Sequence, residues 1–434
     1  MSDHDGDLVV AGGRVLRPDM TVERADVLVD RKRGVIGAVG PDLDAAERLD
    51  ASDGLVVPGL VNAHTHVSMT LLRGYADDKP LDAWLREDVW PVEAALEPAD
   101  VRAGADLGLL EMIRAGTTAF ADMYFEMDRV AAAVADAGLR AVLGHGAVTV
   151  GEDADEARAD VERSAAFARE FDGAADGRVS TAVTPHSLTT VDRDLLALAA
   201  DLARDAGVPL HYHANETPDE VAPYEDEGVR PLRWASDHGL LEEGDFLAHC
   251  VHLDGGEVDL LAETGAAAVH CPASNMKLAS GAAPVRRLLN AGATVALGTD
   301  GAASNNDLDP FDELRDAAML AKHATGDASA LPAAAAVRMA TAGGADALGL
   351  DAGRVEPGRR ADLAVVDLDA AHLTPRHDLV SHLAYAVRGS DVRHTVCDGR
   401  VLMRDREVLT MDAPAVRERA AERARGLLER AGVA

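Results

Sequence analysis

The sequence predicts an α/β protein: a (β/α)8 TIM barrel with a small composite β-sandwich formed by the N- and C-terminal segments. Three observations carry that expectation. From Leu55 onward, short β-like runs alternate with longer Ala/Leu/Arg/Glu stretches of helical periodicity, the pattern of βα units around a parallel sheet. Eight such strands can be counted, and eight parallel strands with eight crossovers close into a barrel. The length of 434 residues holds one barrel of ~250 residues and something smaller.

Ahead of the barrel, residues 8–16, 24–29 and 35–39 read as short strands broken by Gly and Pro. The barrel strands fall at 56–65, 117–123, 140–148, 179–186, 208–213, 245–251, 266–270 and 294–299. Helices are expected between them, among others at 99–115, 155–170, 193–206 and 283–291, with Gly116, Gly138, Gly207 and Gly292 marking their exits. After the barrel, 361–367, 394–397 and 400–403 read as strands again. Neither end carries enough apolar residues to bury a core alone, so the two ends are expected to pair. The expected division is 1–57 with 355–410 as the composite β domain, 58–354 as the barrel and 411–434 as a C-terminal surface helix. Residues 71–90 form a long connection after the first barrel strand, which either covers the mouth or makes a subunit contact.

Composition narrows the function. Lys+Arg number 42 against 75 Asp+Glu, a net charge of −33, and phosphate recognition needs clustered positive charge, so a nucleic-acid partner is not expected. Only Lys32, Lys79, Lys277 and Lys322 are lysines. That excess of carboxylate looks like a halophile's cytosolic protein, whose self-repulsion is screened where the Debye length is ~3 Å. The three cysteines, Cys250, Cys271 and Cys397, form no CxxC pair, so neither a disulfide framework nor a thiolate metal site is implied. No run of about 18 apolar residues occurs, and residues 1–7 are acidic and polar. The expectation is a cytoplasmic homo-oligomer acting on a small molecule, away from membranes.

His64 and His66, two apart at the end of the first barrel strand, point to one face. An isolated HxH arises by chance ~0.6 times in such a chain, so the pair alone decides little. Its setting decides more: His213 ends the fifth strand, His249 the sixth, and Asp300 follows the eighth. Barrel active sites lie at this C-terminal face, where residues distant in sequence converge. Three neutral imidazoles and one carboxylate suit a divalent metal, with zinc the default and iron or manganese as alternatives. His211 lies deeper on the same face as His213 and reads as a supporting or core residue. Glu216, three residues past His213, can turn toward the metal site without ligating, as a general acid/base requires. The fourth strand holds no lysine to bridge a second ion, so a single metal per chain is expected, leaving His249 to hold the attacking water.

These residues resemble a family. Pro58-Gly59-Leu60-Val61-Asn62-Ala63-His64-Thr65-His66, the His213…Glu216 element, Ala248-His249-Cys250-Val251-His252 and the run from Gly298 to Asn306 are similar to the amidohydrolase superfamily. Within it, the likeness runs to the 5-methylthioadenosine/S-adenosylhomocysteine deaminases, and it covers nearly the whole chain, including the run from Gly353 to Gly358. The resemblance implies that His64, His66, His213 and Asp300 bind zinc, that Glu216 relays protons, and that Asp300 and His249 orient the attacking water. It also implies that Glu93 holds the ribose hydroxyls, that His186 contacts substrate and that Arg158 contacts an amino-acid tail. At His145 the family pattern leads one to expect arginine, and histidine offers no bidentate clamp to a carboxylate. That departure favours a smaller 5′ group, as in methylthioadenosine, 5′-deoxyadenosine or adenosine. Two other readings stand beside this one: an amidohydrolase acting on guanine, a triazine or a pyrimidine, and a non-catalytic assembly protein that kept the fold.

Overall fold

The computed structural model describes residues 6–433; residues 1–5 and 434, which fall in the expected β domain and C-terminal helix, lie outside the described residues. The barrel strands are parallel throughout. Leu60–Thr65, Thr117–Tyr124, Arg140–Ala147 and Val179–Thr181 pair in chain order, and so do His211–Ala214, Phe246–His249, Ala267–His270 and Val295–Leu297. Two seams join these halves. On one side Val183 bridges Leu210 and Ser187 bridges His213. On the other, Asn62 and Thr299 exchange two hydrogen bonds, of 2.7 and 2.9 Å, and the Asp300 N–H donates to the His64 carbonyl at 3.0 Å. The barrel therefore closes at the residues singled out as metal ligands.

Two predicted strands are each divided. The expected run 56–65 consists of Gly54–Pro58 and Leu60–Thr65, and only the second belongs to the barrel. The break falls at Gly59, where a Cβ would lie 2.0 Å from the Thr118 hydroxyl oxygen, so no other residue fits without a shift. The run 179–186 consists of Val179–Thr181 and Thr184–Pro185. Both pair with Arg140–Ala147, while Val183 turns to the fifth strand instead, which makes this interruption the corner of the barrel.

The terminal segments share one β unit. A seven-stranded sheet runs in the order Glu407–Val408, Arg400–Arg404, Val392–Cys397, Leu363–Asp367, Gly54–Pro58, Arg14–Leu16 and Val22–Arg24. A four-stranded sheet of Val35–Gly40, Asp26–Asp30, Leu8–Ala11 and Glu47–Asp50 covers it. Side chains alternate across the larger sheet. Val56, Leu363 and Val365 enter the core between the sheets, whereas Leu55, Val57, Ala364 and Val366 join the core shared with the barrel helices. Buried Arg140, at the start of the third barrel strand, binds Asp362 and Asp398 at 3.1 and 3.0 Å and ties the two parts together. The C-terminal helix, Ala413–Arg430, packs on helix Pro98–Ala115 through Val416, Ala420 and Leu427.

The long connection covers the mouth. A 3-10 turn, Val67–Leu72, leads to Leu81–Trp84, one π-helical turn at Leu85–Val89, and Trp90–Glu93. Leu81, Trp84, Leu85, Val89 and Trp90 all face the cavity at the barrel mouth. Among the described residues, no helix is long and apolar enough to cross a membrane.

All three cysteines are free and buried, and burial pushes each thiol pKa up. Native protein is therefore expected to leave a chromogenic thiol reagent unreacted at mildly alkaline pH, and denatured protein to react at all three. A thiol that titrates rapidly in the native state would contradict this packing.

Candidate active site

His64, His66, His213 and Asp300 come together. One ligand atom from each lies within 4.8 Å of all the others. Asp300 Oδ1 stands 3.5 Å from His64 Nε2 and 3.3 Å from His66 Nε2, and the Nε2 atoms of His66 and His213 are 3.3 Å apart. The other ring nitrogens explain why these Nε2 atoms face inward. His66 Nδ1 donates to the Met123 carbonyl and His213 Nδ1 to the His186 carbonyl, both at 2.7 Å. For His64 the tautomer follows from a two-step chain. His211 Nδ1 donates to the Phe246 carbonyl at 2.8 Å, so its Nε2 must accept, and His64 Nδ1 donates to it at 2.8 Å. That leaves a lone pair on His64 Nε2, which is buried without a hydrogen-bond partner.

The group fits a divalent ion. Burial first, and the neighbouring imidazoles after it, holds His213 far below the ordinary histidine value; burial brings His64 down to about 4 despite Asp300, so both rings are neutral, as ligands must be. Asp300 is ionised: burial pushes it up, but the His64, His66 and His249 rings outweigh that and hold it well below the usual carboxylate range. Its Oδ2 accepts from Ser274 and Ser304 at 2.6 and 2.7 Å, which leaves Oδ1 turned to the histidines. Backbone strain gathers here as well: Asn215, His249 and Asp300 are left-handed, at φ 52°, 70° and 60°. Those conformations turn the chain at the strand ends and aim the side chains inward.

Glu216 sits beside this group. Its Oε2 is 3.5 Å from His249 Nε2, and its Oε1 accepts from Ser280 at 3.2 Å. Burial raises the Glu216 pKa, His249 opposes that, and Asp300 adds to it, so the carboxylate takes a proton readily. His249 Nδ1 donates to the Asn275 amide oxygen at 2.8 Å. Burial pulls its pKa down, but the Glu216 and Asp300 charges prevail and raise it.

One cavity at the barrel mouth contains the rest. Glu93 lines it, and Tyr124 donates to Glu93 Oε1 at 2.6 Å. Burial lifts the Glu93 carboxyl to about 7 against that hydrogen bond. His186 also lines the cavity, its Nδ1 2.8 Å from the Thr190 hydroxyl. Two expected substrate contacts stand apart. His145 does not line the cavity; its Nε2 lies 3.4 Å from Asp160 Oδ1. Arg158 is exposed on helix Ala154–Phe171 and pairs with Glu162 at 3.4 Å, one turn along the helix.

The structure adds residues the sequence reading passed over. Glu220 lines the cavity and its Oε2 accepts the Glu216 N–H at 3.0 Å; burial, then the Glu216 charge, brings it to about 7. Its spacing of four from Glu216 was the available signal. Tyr124 stands one residue past the predicted end of the second strand. Ser274 lies in the short helix Pro272–Lys277, Ser304 in the short helix Ala302–Asn305 within the run from Gly298 to Asn306, and Ser280 in a loop.

A parallel barrel whose C-terminal face gathers three histidines, an aspartate and a buried acid defines a class, the barrel hydrolases that can hold a metal. The chain belongs to the amidohydrolase family, whose pattern matches residues 55–402. It is 66% identical over 426 residues to a 5-methylthioadenosine/S-adenosylhomocysteine deaminase of Halobacterium salinarum, a match covering 98% of this chain and 99% of that one. In structure it resembles an adenosine deaminase of Xanthomonas campestris with bound zinc, with a TM-score of 0.91, 38% identity and coverage of 98% and 99%. It also resembles an atrazine chlorohydrolase of Arthrobacter aurescens complexed with zinc, with a TM-score of 0.88, 26% identity and coverage of 96% and 100%.

Proposed function

We propose that this chain is a metal-dependent hydrolytic deaminase converting an adenosine derivative, such as 5′-methylthioadenosine, S-adenosylhomocysteine, 5′-deoxyadenosine or adenosine, to the inosine analogue and ammonia. The observation that carries the reading is the pairing of two carboxylates in one cavity: Glu216 beside the ligand cluster and Glu93 on the cavity wall. His64, His66, His213 and Asp300 would hold the ion, zinc first and iron or manganese as alternatives, one per chain. Bound there, a divalent ion would supply Lewis-acid activation of a water at neutral pH.

The chain's own groups do the remaining work. Glu216 takes a proton from the attacking water and delivers it to the purine nitrogen next to C6, while the water oxygen bonds to C6. His249, held by Asn275, and Asp300 orient that water. A second proton passes from the oxygen to the amino nitrogen, the C6–N bond breaks, and ammonia leaves behind a C6 carbonyl. Glu93 accepts from the two ribose hydroxyls, one per carboxylate oxygen, with Tyr124 fixing its orientation. His186 supports the substrate beside the His213 ring, 4.5 Å away between centroids.

Ammonia release with adenosine derivatives, guanine and an aminated triazine as substrates tests the reading. Ribosides are expected to react, and free ribosides to compete. A second reading, hydrolysis of another aminated heterocycle, has support in the likeness to the atrazine enzyme; it predicts triazine turnover without riboside competition. Glu93→Gln is expected to raise KM for nucleosides by roughly 10- to 100-fold with a smaller change in kcat, since it weakens charge-assisted hydrogen bonds made before the chemistry. An unchanged KM would remove Glu93 from ribose binding.

A further inference from the structure

The cavity also carries information about the 5′ substituent, an inference that rests on the nucleoside reading above. Its acidic lining residues are Glu93, Glu216, Glu220 and Asp300, and among the described residues no Lys or Arg lines it. The rest of the wall toward the mouth is apolar: Leu81, Trp84, Leu85, Trp90, Phe125 and Val148. Arg86 and Lys79 of the covering segment, and Arg158 and Arg163 of helix Ala154–Phe171, are already held by acids. Arg86 Nε binds Asp82 at 2.6 Å, and Lys79 binds Asp88 and Glu87 at 2.6 and 3.0 Å. Arg163 binds Asp160 at 2.5 Å and Arg158 binds Glu162 at 3.4 Å.

We infer that the site discriminates by charge at the 5′ end, accepting nucleosides with a small uncharged or a cationic 5′ group and disfavouring those whose 5′ tail bears a carboxylate. The physical ground is direct. A carboxylate brought to this apolar wall loses water, finds no Lys or Arg among the described lining residues to pair with, and shares the cavity with Glu93 and Glu220, which stand outside the ligand cluster. An ammonium in the same place can pair with those two carboxyl groups. Size and charge thereby separate, because removing the carboxylate from a homocysteinyl tail leaves a long chain with a terminal amine.

The test compares kcat/KM for ammonia release from 5′-methylthioadenosine, S-adenosylhomocysteine and decarboxylated S-adenosylhomocysteine, at one fixed high salt concentration. The methylthio compound is expected to exceed S-adenosylhomocysteine by roughly tenfold or more, and decarboxylation to recover most of that difference. Val148→Arg, which puts a guanidinium on the wall, is expected to raise the S-adenosylhomocysteine rate relative to the methylthio rate. Equal rates for the methylthio and homocysteinyl compounds would overturn the inference and leave the deaminase reading standing. So would a decarboxylated compound as poor as its parent, because size would then be the cause. No ammonia from any of the three would sink the deaminase reading itself.

Discussion

Glu216→Gln is expected to lower kcat by roughly 10²–10⁴-fold while metal content stays near one ion per chain. The amide keeps the shape and can still accept from Ser280, but it cannot take a proton from water and return it to a ring nitrogen. The change therefore removes the shuttle without disturbing the ligand cluster, because neither Glu216 oxygen is placed among the four ligand atoms. KM is expected to move little, since the lost interaction is made in the transition state. Metal analysis and steady-state ammonia release on the same preparation check this. Near-normal turnover with full metal would remove Glu216 from the acid/base role.

Removing the ion is expected to have the larger effect. Chelation should abolish ammonia release and lower Tm, and returned zinc should restore both. A ligand that binds only the folded state stabilises by about 4 kcal/mol when present at about 1,000 times its Kd. His213→Ala should reproduce the metal-free behaviour without a chelator, read by metal analysis and calorimetry. The buried histidines should also make a contribution of defined sign to the pH dependence of the metal-free protein's stability. Burial brings His64 to about 4 and His270 to about 3, below the ordinary histidine value of 6.5. Between those values the unfolded chain binds protons that the fold does not, so these two rings contribute a loss of stability as pH drops from about 6.5 toward about 4, whereas Glu93 and Glu220, raised to about 7, contribute a gain over the same window. Denaturant melts of metal-free protein and of its His270→Gln variant across that window isolate the contribution of one ring, and identical pH profiles for the two would contradict the buried neutral state of His270.

Much of the architecture was legible along the chain, and particular elements show why. Helix Arg193–Ala206 forms over the residues that its periodicity and Gly207 predict, because both signals are local. The first barrel strand was drawn too long. Gly59 breaks it for a reason found only on the neighbouring strand, in the contact with Thr118. The placement of His145 likewise depended on a partner in another element, Asp160 of helix Ala154–Phe171, whereas Arg158 pairs locally with Glu162 on that same helix; neither His145 nor Arg158 lines the cavity.

By itself, the sequence determined which donor types stand at which strand ends, since an HxH pair, a strand period of two and Gly or Pro punctuation are properties of neighbouring residues. The convergence of His64, His66, His213 and Asp300 was decided by the tertiary structure, because the barrel alone sets the distances between segments so far apart in the chain. The same holds for the His211 relay that turns His64 Nε2 inward, for Glu220 against Glu216, and for the absence of Lys and Arg from the cavity lining. Each depends on which groups share a buried volume, and burial and direction emerge only when the chain closes on itself.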